Sequence, residues 1–154
     1  MGRIESQRLI IETLSARELH GLAEEYKAAD PELSEAYIEM AQAYAEHPDE
    51  HEWYTSWRIS DKGGAEVGDA DFKGLGADGH IEIGYGIRPE HRRCGYATEA
   101  VGALCAYALA CPEVTAIEAE TDPANEISQK VLAANGFTPT GTVGEEGPRF
   151  IKTK

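Results

Sequence analysis

The second half of the chain alternates between strand and helix patterns, and this alternation limits the folds that it can adopt. HIEIGYGI (80–87) places its large apolar residues on one face of a strand. After Gly95, apolar residues recur at spacings of three and four up to Pro112, as in an amphipathic helix. VTAIEAE (114–120) is again typical of a strand, and residues 122–137 are typical of a helix that ends at an Asn-Gly pair. This order of elements predicts a mixed α/β sheet.

The first half of the chain predicts two helices followed by strands. Ser15 and Glu18 have the spacing of a capping box at a helix start, and Pro31 is expected to end that helix. A second, acidic helix begins near Leu33 and ends before Pro48. WYTSWRIS and AEVGDADFKG, separated by the turn DKGG, predict a strand hairpin, and FTPTGTV and PRFIKTK predict a closing hairpin. The length and the absence of repeats predict a single domain over residues 1–154.

The composition excludes several classes of partner. A net charge of -14 disfavours nucleic acid and anionic membranes, because both need a broad basic surface. No apolar run approaches the roughly 20 residues that cross a bilayer, and MGRIESQRLI lacks the apolar block of a secretion signal, so we expect a cytoplasmic protein. The cysteines and histidines show no metal-ligand spacing, so no metal is expected.

RPEHRRCGYATEA (88–100) concentrates positive charge in this acidic chain. Arg88, Arg92 and Arg93 fall within six positions, between the end of a strand and the start of a helix. A helix start presents unpaired backbone N–H groups, and Gly95 allows close backbone approach, so the segment predicts a phosphate or pyrophosphate site. The alternative is an ordinary strand-to-helix turn with exposed arginines.

Two motifs resemble the GCN5-related N-acetyltransferases (GNAT). Arg92-Arg93-Cys94-Gly95-Tyr96-Ala97 matches the family's Arg/Gln-x-x-Gly-x-Gly/Ala loop. NEISQKVLAANGF (125–137) resembles its Asn-x-x-Ala/Ser…Gly-Phe helix, and EIGYGIRPEHRRCGYATEA is similar to the ribosomal-protein-alanine (RimJ/RimL-type) branch. The resemblance implies the acyl-CoA N-acyltransferase fold, an α/β (α+β) architecture whose central sheet is mixed, mostly antiparallel and flanked by helices.

The resemblance also implies acetyl-CoA as co-substrate. The strand that ends at Ile87 would pair with the pantetheine arm, and Asn125 would reach that arm from the other side. The pyrophosphate would lie on the backbone amides of the loop, beside the three arginines. The loop residues are Arg93, Cys94, Gly95, Tyr96, Ala97 and Thr98.

Two residues are candidates for the chemistry of acetyl transfer to an amine. Ser128 lies one helical turn after Asn125 and is predicted to hydrogen-bond the thioester sulfur; the alternative is a helix-surface serine without a role. Many relatives carry a tyrosine as proton donor at the position of Leu132, so the chain departs from the family there. Glu82 lies on the strand face that two glycines leave open and is predicted to be the base; the alternative is a carboxylate paired with a neighbouring side chain.

The acceptor is predicted only as a class. In the first 52 residues Asp and Glu outnumber Lys and Arg by 13 to 4, and an acidic rim would attract a cationic amine; a solvated, solubilising face is the alternative. Both a monomer and a homodimer remain open. Two other functions remain: a catalytically silent acyl-CoA-binding domain, and a nucleotide-binding regulatory domain, although Gly95 is not followed by Lys-Ser/Thr as in a P-loop.

Overall fold

The computed structural model of the protein describes residues 2–154. Within them, the sheet consists of β1 (Arg3–Glu5), β2 (Leu9–Thr13), β3 (Ser56–Asp61), β4 (Glu66–Phe72), β5 (His80–Ile87), β6 (Ala116–Glu120), β7 (Thr138–Val143) and β8 (Pro148–Thr153). The α-helices are α1 (Ala16–Tyr26), α2 (Pro31–Glu46), α3 (Tyr96–Ala110) and α4 (Glu126–Ala134). Two short 3₁₀ helices cover Pro48–Trp53 and Pro89–His91.

The strands form one sheet in the order β1-β2-β3-β4-β5-β6-β8-β7. Neighbouring strands are antiparallel except β5 and β6, which are parallel and are connected through α3. A parallel pair requires such a crossover, because the chain must return to the end of the sheet from which it started. The predicted mixed, mostly antiparallel sheet with flanking helices is therefore confirmed.

The main core lies between the sheet and α3. This helix buries Ala100, Val101, Leu104, Cys105 and Ala108. The sheet supplies fully buried aliphatic and aromatic side chains, among them Trp57 and Ile117. The hairpin of α1 and α2 has a small core of its own, formed by Leu14, Leu19 and Ala41. The hairpin is thus a separate layer that can border a cleft without being part of the main core.

Local sequence signals account for most helix ends. The capping box at the start of α1 is present, since Ser15 accepts from the Glu18 N–H while the Glu18 carboxylate accepts from the Ser15 N–H. Pro31 does not end α1, which stops at Tyr26; it is the first residue of α2, where its missing N–H costs nothing. The strand β1 has no counterpart in the sequence prediction, because three residues carry too little pattern to identify an edge strand.

Strands β5 and β6 separate along their length. β5 is paired with β4 over residues 83–87, whereas β6 pairs only with His80, Ile81 and Glu82. Beyond Glu82 one backbone edge of β5 therefore faces a gap rather than a neighbouring strand. This gap lies directly before the loop that starts α3.

Candidate active site

The loop that starts α3 is folded as a concave row of backbone donors. Arg93 and Gly95 both have left-handed backbone angles, with φ of 64° and 80°. Within residues 2–154, the backbone N–H groups of residues 93–98 have no hydrogen-bond acceptor. Successive unpaired N–H groups at a helix N-terminus form an anion site, and a β-carbon at residue 95 would narrow it. The residues present therefore fit a pyrophosphate, as the sequence predicts.

The loop is braced from outside by Arg8, a residue that sequence reasoning missed. Its Nη1 donates to the Cys94 carbonyl at 2.7 Å, and its Nε donates to the Glu99 carboxylate at 2.7 Å. Ser6 Oγ donates to the same carboxylate at 2.6 Å. Desolvation raises the pKa of Glu99, but the hydrogen bonds from Ser6 and Arg8 outweigh it and leave the pKa lowered. The negative charge of Glu99, in the first turn of α3 and beside the predicted anion site, is thus balanced by Arg8.

The three predicted arginines have different surroundings. Arg88 forms an ion pair with Glu66. Arg92 donates from Nε to the Ile87 carbonyl at 3.2 Å, at the end of β5. Neither Arg92 nor Arg93 has an acidic partner in residues 2–154, so these two remain available to an anion. Part of the charge that the sequence places at this loop is therefore already neutralised.

A cleft of about 430 Å³ opens on the same edge of β5. It is lined by Asp69 and Asp71 of β4, by residues 83–86 of β5, and by Ser128 of α4. Helix α2 forms the opposite wall with an apolar face, consisting of Leu33, Ala36, Tyr37 and Met40. The hairpin thus borders the cleft, while its predicted acidic face, Glu32, Glu35, Glu39 and Glu46, does not line it.

Four carboxylates line the cleft, those of Asp69 and Asp71 on β4, of Glu120 on β6 and of Glu146 in the turn between β7 and β8, and sequence reasoning missed all four. Asp69 and Asp71 alternate in GDADF, and that spacing places both on one face. Gly84 of β5 lies beside Asp71, because a β-carbon there would be 2.7 Å from Asp71 Oδ1. Desolvation raises the pKa of Asp71 and, together with the charge of Glu66, that of Asp69.

Glu82 has two cationic partners. Its carboxylate accepts from Lys73 Nζ at 3.0 Å and from Arg149 Nη2 at 2.9 Å. Desolvation raises the pKa of Glu82, but these two bonds outweigh it, and the pKa lies below its usual value. Glu82 does not belong to the residues that line the cleft. Its role as base stays a prediction, and these contacts match the alternative of a paired strand carboxylate.

Helix α4 places Ser128 at the gap between β5 and β6. Asn125 caps the helix, since its Oδ1 accepts from the Ser128 N–H at 3.0 Å. Ser128 Oγ lies 2.7 Å from the hydroxyl of Tyr85, which projects from β5. Leu132 is fully buried in the main core. The hydroxyl groups at this gap are therefore those of Ser128 and Tyr85, and sequence reasoning missed the second.

The described part of the chain contains neither a metal-ion cluster nor a membrane-spanning helix. No group of three or more His, Cys, Asp or Glu residues there is arranged to hold a metal ion. None of the helices formed by residues 2–154 is long and apolar enough to span a membrane.

Known protein families and solved structures are similar to this chain in sequence and in fold. Residues 8–138 match the acetyltransferase (GNAT) domain family. The chain is 40% identical over 86 residues to the uncharacterized N-acetyltransferase YjdG of Bacillus subtilis (strain 168). That match covers 54% of this chain and 51% of the relative, so the chain spans about half the length of the curated relative it matches.

Solved structures share the fold at low sequence identity. The ribosomal-protein-S5-alanine acetyltransferase of Vibrio fischeri superposes with a TM-score of 0.74 at 18% identity, over 100% of this chain and 96% of that chain. RimL, a ribosomal L7/L12 alpha-N-protein acetyltransferase in complex with coenzyme A, gives 0.75 at 15% identity, over 99% and 98%. A spermidine N-acetyltransferase of Vibrio cholerae, in complex with CoA and spermine, gives 0.69 at 15% identity, over 96% of each chain. The chain belongs to the GNAT acetyltransferase family.

Proposed function

We propose that the protein is an acetyl-CoA-dependent N-acetyltransferase that transfers an acetyl group to a primary amine by direct attack. The observation that carries this proposal is the continuity of two features. The unpaired N–H groups of residues 93–98 lie at the end of the β5 edge that β6 leaves free. The N–H groups of the loop fit a pyrophosphate, and the free edge of β5 fits an extended arm that forms backbone hydrogen bonds. Coenzyme A has both parts, and the family to which the chain belongs consists of acetyltransferases.

Each part of the chain has a distinct task in this proposal. The loop amides, with Arg92 and Arg93, hold the pyrophosphate. The free edge of β5 up to Ile87 pairs with the pantetheine arm, and the Asn125 cap fixes the start of α4 on the other side of the gap. Acetyl-CoA supplies the activated acetyl group, and the protein supplies position, a proton acceptor and a hydrogen-bond donor.

Asp71 is the proton acceptor that the cleft favours. It lines the cleft beside Gly84, and desolvation raises its pKa, so it holds a proton more readily than an exposed aspartate. Lys73 also lines the cleft and its charge lowers the pKa of Asp71, but desolvation outweighs this effect, and the Lys73 ammonium group is bonded to Glu82. Glu82 would have to leave two ion pairs before it could act as the base.

The acceptor proposed is a cationic amine, either a protein N-terminus or a small molecule. Asp69 and Asp71 would attract its ammonium group, and the apolar wall of α2 would contact the carbon chain next to it. The solved relatives named for ribosomal proteins and for spermidine show that the fold accommodates both kinds of acceptor in other proteins.

The test is a panel of amines assayed for coenzyme A release from acetyl-CoA. N-terminal peptides, polyamines and amino sugars, each compared with its N-acetylated form, would distinguish acceptor classes. Turnover of at least one free amine and of none of the blocked forms is expected. Coenzyme A binding without turnover of any amine would contradict the proposal. It would favour a catalytically silent acyl-CoA-binding domain, which is the second candidate because position 132 holds leucine instead of tyrosine.

The choice of base is tested with two isosteric variants of the active enzyme. Asp71→Asn should lower kcat near neutral pH by about 10²–10⁴-fold, the usual range for general acid–base catalysis, and higher pH should restore part of the rate because more amine arrives neutral. Glu82→Gln should change kcat little if its ion pairs are structural. The reverse pattern would return the role of base to Glu82.

A further inference from the structure

A hydrogen bond between Tyr85 and Ser128 spans the gap between β5 and α4. The phenolic oxygen of Tyr85 lies 2.7 Å from Ser128 Oγ and 3.3 Å from the Ser128 carbonyl oxygen. Both residues line the cleft, and the ring of Tyr85 packs against the main core. This hydrogen bond therefore connects β5 to α4 at the place where β5 has no neighbouring strand on that side.

The direction of this hydrogen bond follows from the chemistry of its partners. The phenol has a single proton, and its contact with Ser128 Oγ is shorter, at 2.7 Å, than its contact with the Ser128 carbonyl, at 3.3 Å, so we assign the proton to the bond with Ser128 Oγ. A phenol is also a stronger acid than an aliphatic alcohol and is the better donor to Ser128 Oγ. Burial raises the pKa of Tyr85 more than its bond to Ser128 lowers it, so the phenol keeps its proton at neutral pH.

If Tyr85 donates, the single proton of the Ser128 hydroxyl points elsewhere. Within residues 2–154, Ser128 Oγ has no other hydrogen-bond partner. The Asn125 cap fixes the backbone at Ser128 and the contact with Tyr85 holds Oγ, so the remaining freedom of the hydroxyl proton is rotation about the Cβ–Oγ bond. Because Ser128 lines the cleft, this rotation can direct the proton into the cleft, where the thioester would lie.

We propose that Tyr85 is a positioning residue that directs the Ser128 hydroxyl at the sulfur of the bound thioester, and this inference rests on the proposed function. The amine nitrogen forms a bond to the carbonyl carbon, and the carbon–sulfur bond breaks with its electron pair on sulfur. A cationic acceptor loses two protons: the ammonium proton goes to the proton acceptor in the cleft before attack, and the second proton, lost by the attacking nitrogen, goes to solvent water. Ser128 and Tyr85 keep their protons and donate hydrogen bonds to sulfur and to Ser128 respectively. The phenol thus acts from β5, whereas position 132, which the resemblance associates with a tyrosine donor, lies on α4 and holds a buried leucine.

The first test measures binding rather than activity. Free coenzyme A and its desulfo analogue are titrated between about pH 7 and pH 9.5, a range chosen around the usual thiol pKa of about 8.5. If Ser128 donates to the sulfur, the bound thiolate is stabilised, so the affinity for coenzyme A rises with pH relative to the desulfo analogue. The carboxylates that line the cleft (Asp69, Asp71, Glu120, Glu146) oppose this stabilisation, but they are the same in every variant.

The variants are Tyr85→Phe, Ser128→Ala and the double variant, with Tyr107→Phe as control. Tyr107 lies on α3 and does not line the cleft, so its variant removes a phenolic hydroxyl elsewhere. Tyr85→Phe and Ser128→Ala should each lose most of the pH-dependent gain, about tenfold in affinity for one hydrogen bond to a charged group. The double variant should match Ser128→Ala, and the control should match wild type.

Turnover gives a second, independent reading. Tyr85→Phe should lower kcat about tenfold with an unchanged KM for acetyl-CoA, and should have no further effect when Ser128 is already alanine. Additive losses would overturn the inference, because Tyr85 would then contact the substrate itself. Coenzyme A binding with wild-type pH dependence in Tyr85→Phe would also overturn it while leaving the proposed function intact. Absence of coenzyme A binding by the wild type would overturn both.

Discussion

Gly95 offers the sharpest test of the proposed pyrophosphate site. Its φ of 80° lies in the left-handed region, and it directly precedes α3. In Gly95→Ala, a β-carbon at this position would lie 3.3 Å from Arg8 Nη2, and the Arg8 guanidinium is held in place because its Nη1 donates to the Cys94 carbonyl. Holding an L-residue in this conformation costs about 1–2 kcal/mol. The loop of the variant should therefore leave the conformation in which its N–H groups converge.

The size of the effect on binding follows from that strain. If the free loop relaxes and the bound loop must return, coenzyme A binding loses the strain energy. Since about 1.4 kcal/mol corresponds to a factor of ten, the dissociation constant should rise about 5- to 30-fold. Isothermal titration calorimetry with coenzyme A measures this change directly.

Gly64→Ala is the matched control for this experiment. Gly64 also has a left-handed φ, of 95°, but a β-carbon there has no atom within 4 Å, and the residue lies in the turn between β3 and β4. The control should lose a similar amount of stability in thermal unfolding and bind coenzyme A as the wild type does. A folded Gly95→Ala protein with wild-type affinity would refute the placement of the pyrophosphate on this loop.

Three further predictions concern stability and reactivity. Ser15→Ala should lower the free energy of unfolding in urea by about 1 kcal/mol, because it removes the acceptor of the Glu18 N–H; an unchanged midpoint would contradict this. The hydrogen bond from Arg58 is the largest cause of the lowered pKa of Glu18, so the ionised carboxylate stabilises the fold. This contribution is complete above about pH 4.3, the usual pKa of an unfolded glutamate, and is lost as the pH falls towards the lower pKa of the folded state. Thermal unfolding of Glu18→Gln should accordingly depend less on pH between about pH 5 and pH 3, and a curve parallel to wild type would argue against it. Alkylation should modify Cys94, which is exposed, before Cys105, which is buried and whose pKa is raised by desolvation to about 12. Bound coenzyme A should protect Cys94 from the reagent. Peptide mass mapping that finds Cys105 labelled first would contradict the buried placement of Cys105.

The predictions from sequence succeeded where the signal is local. The capping box at Ser15, the strand over residues 80–87 and the helix after Gly95 each depend on residues close together in the chain, so pattern alone identified them. The family prediction succeeded for a similar reason, since both motifs are short and in the correct order. The function of Pro31 was misread because proline both ends helices and begins them, and only the neighbouring elements decide between the two.

The partners of the candidate site residues could not be predicted in the same way. Glu82 and Arg149 are 67 positions apart, and Arg8 and Glu99 are 91 apart, so no spacing rule connects them. Gly84 and Gly86, on the same strand face as Glu82, both line the cleft, but the space above Gly84 is occupied by Asp71 and only Gly86 is open. However, the carboxylates that line the cleft are those of Asp69 and Asp71 on β4, together with Glu120 and Glu146, and not that of Glu82. Alternation along GDADF indicated the shared face of Asp69 and Asp71, but not that β5 and α2 would enclose it.

The charge distribution leads to a final prediction about salt. A chain with a net charge of -14 repels an anionic cofactor at long range, so binding must come from short-range donors. At the proposed site those donors are mainly neutral backbone N–H groups, while Arg8 and Arg88 are already paired with carboxylates. Salt screens charges beyond a Debye length of about 10 Å at 0.1 M but leaves contact hydrogen bonds largely intact. Raising the salt concentration to about 0.5 M should therefore leave coenzyme A affinity unchanged or slightly higher, whereas the KM of a cationic acceptor should rise because its attraction to the cleft carboxylates is screened. A steep loss of coenzyme A affinity with salt would show instead that Arg92 and Arg93, rather than the amides of residues 93–98, supply most of the binding.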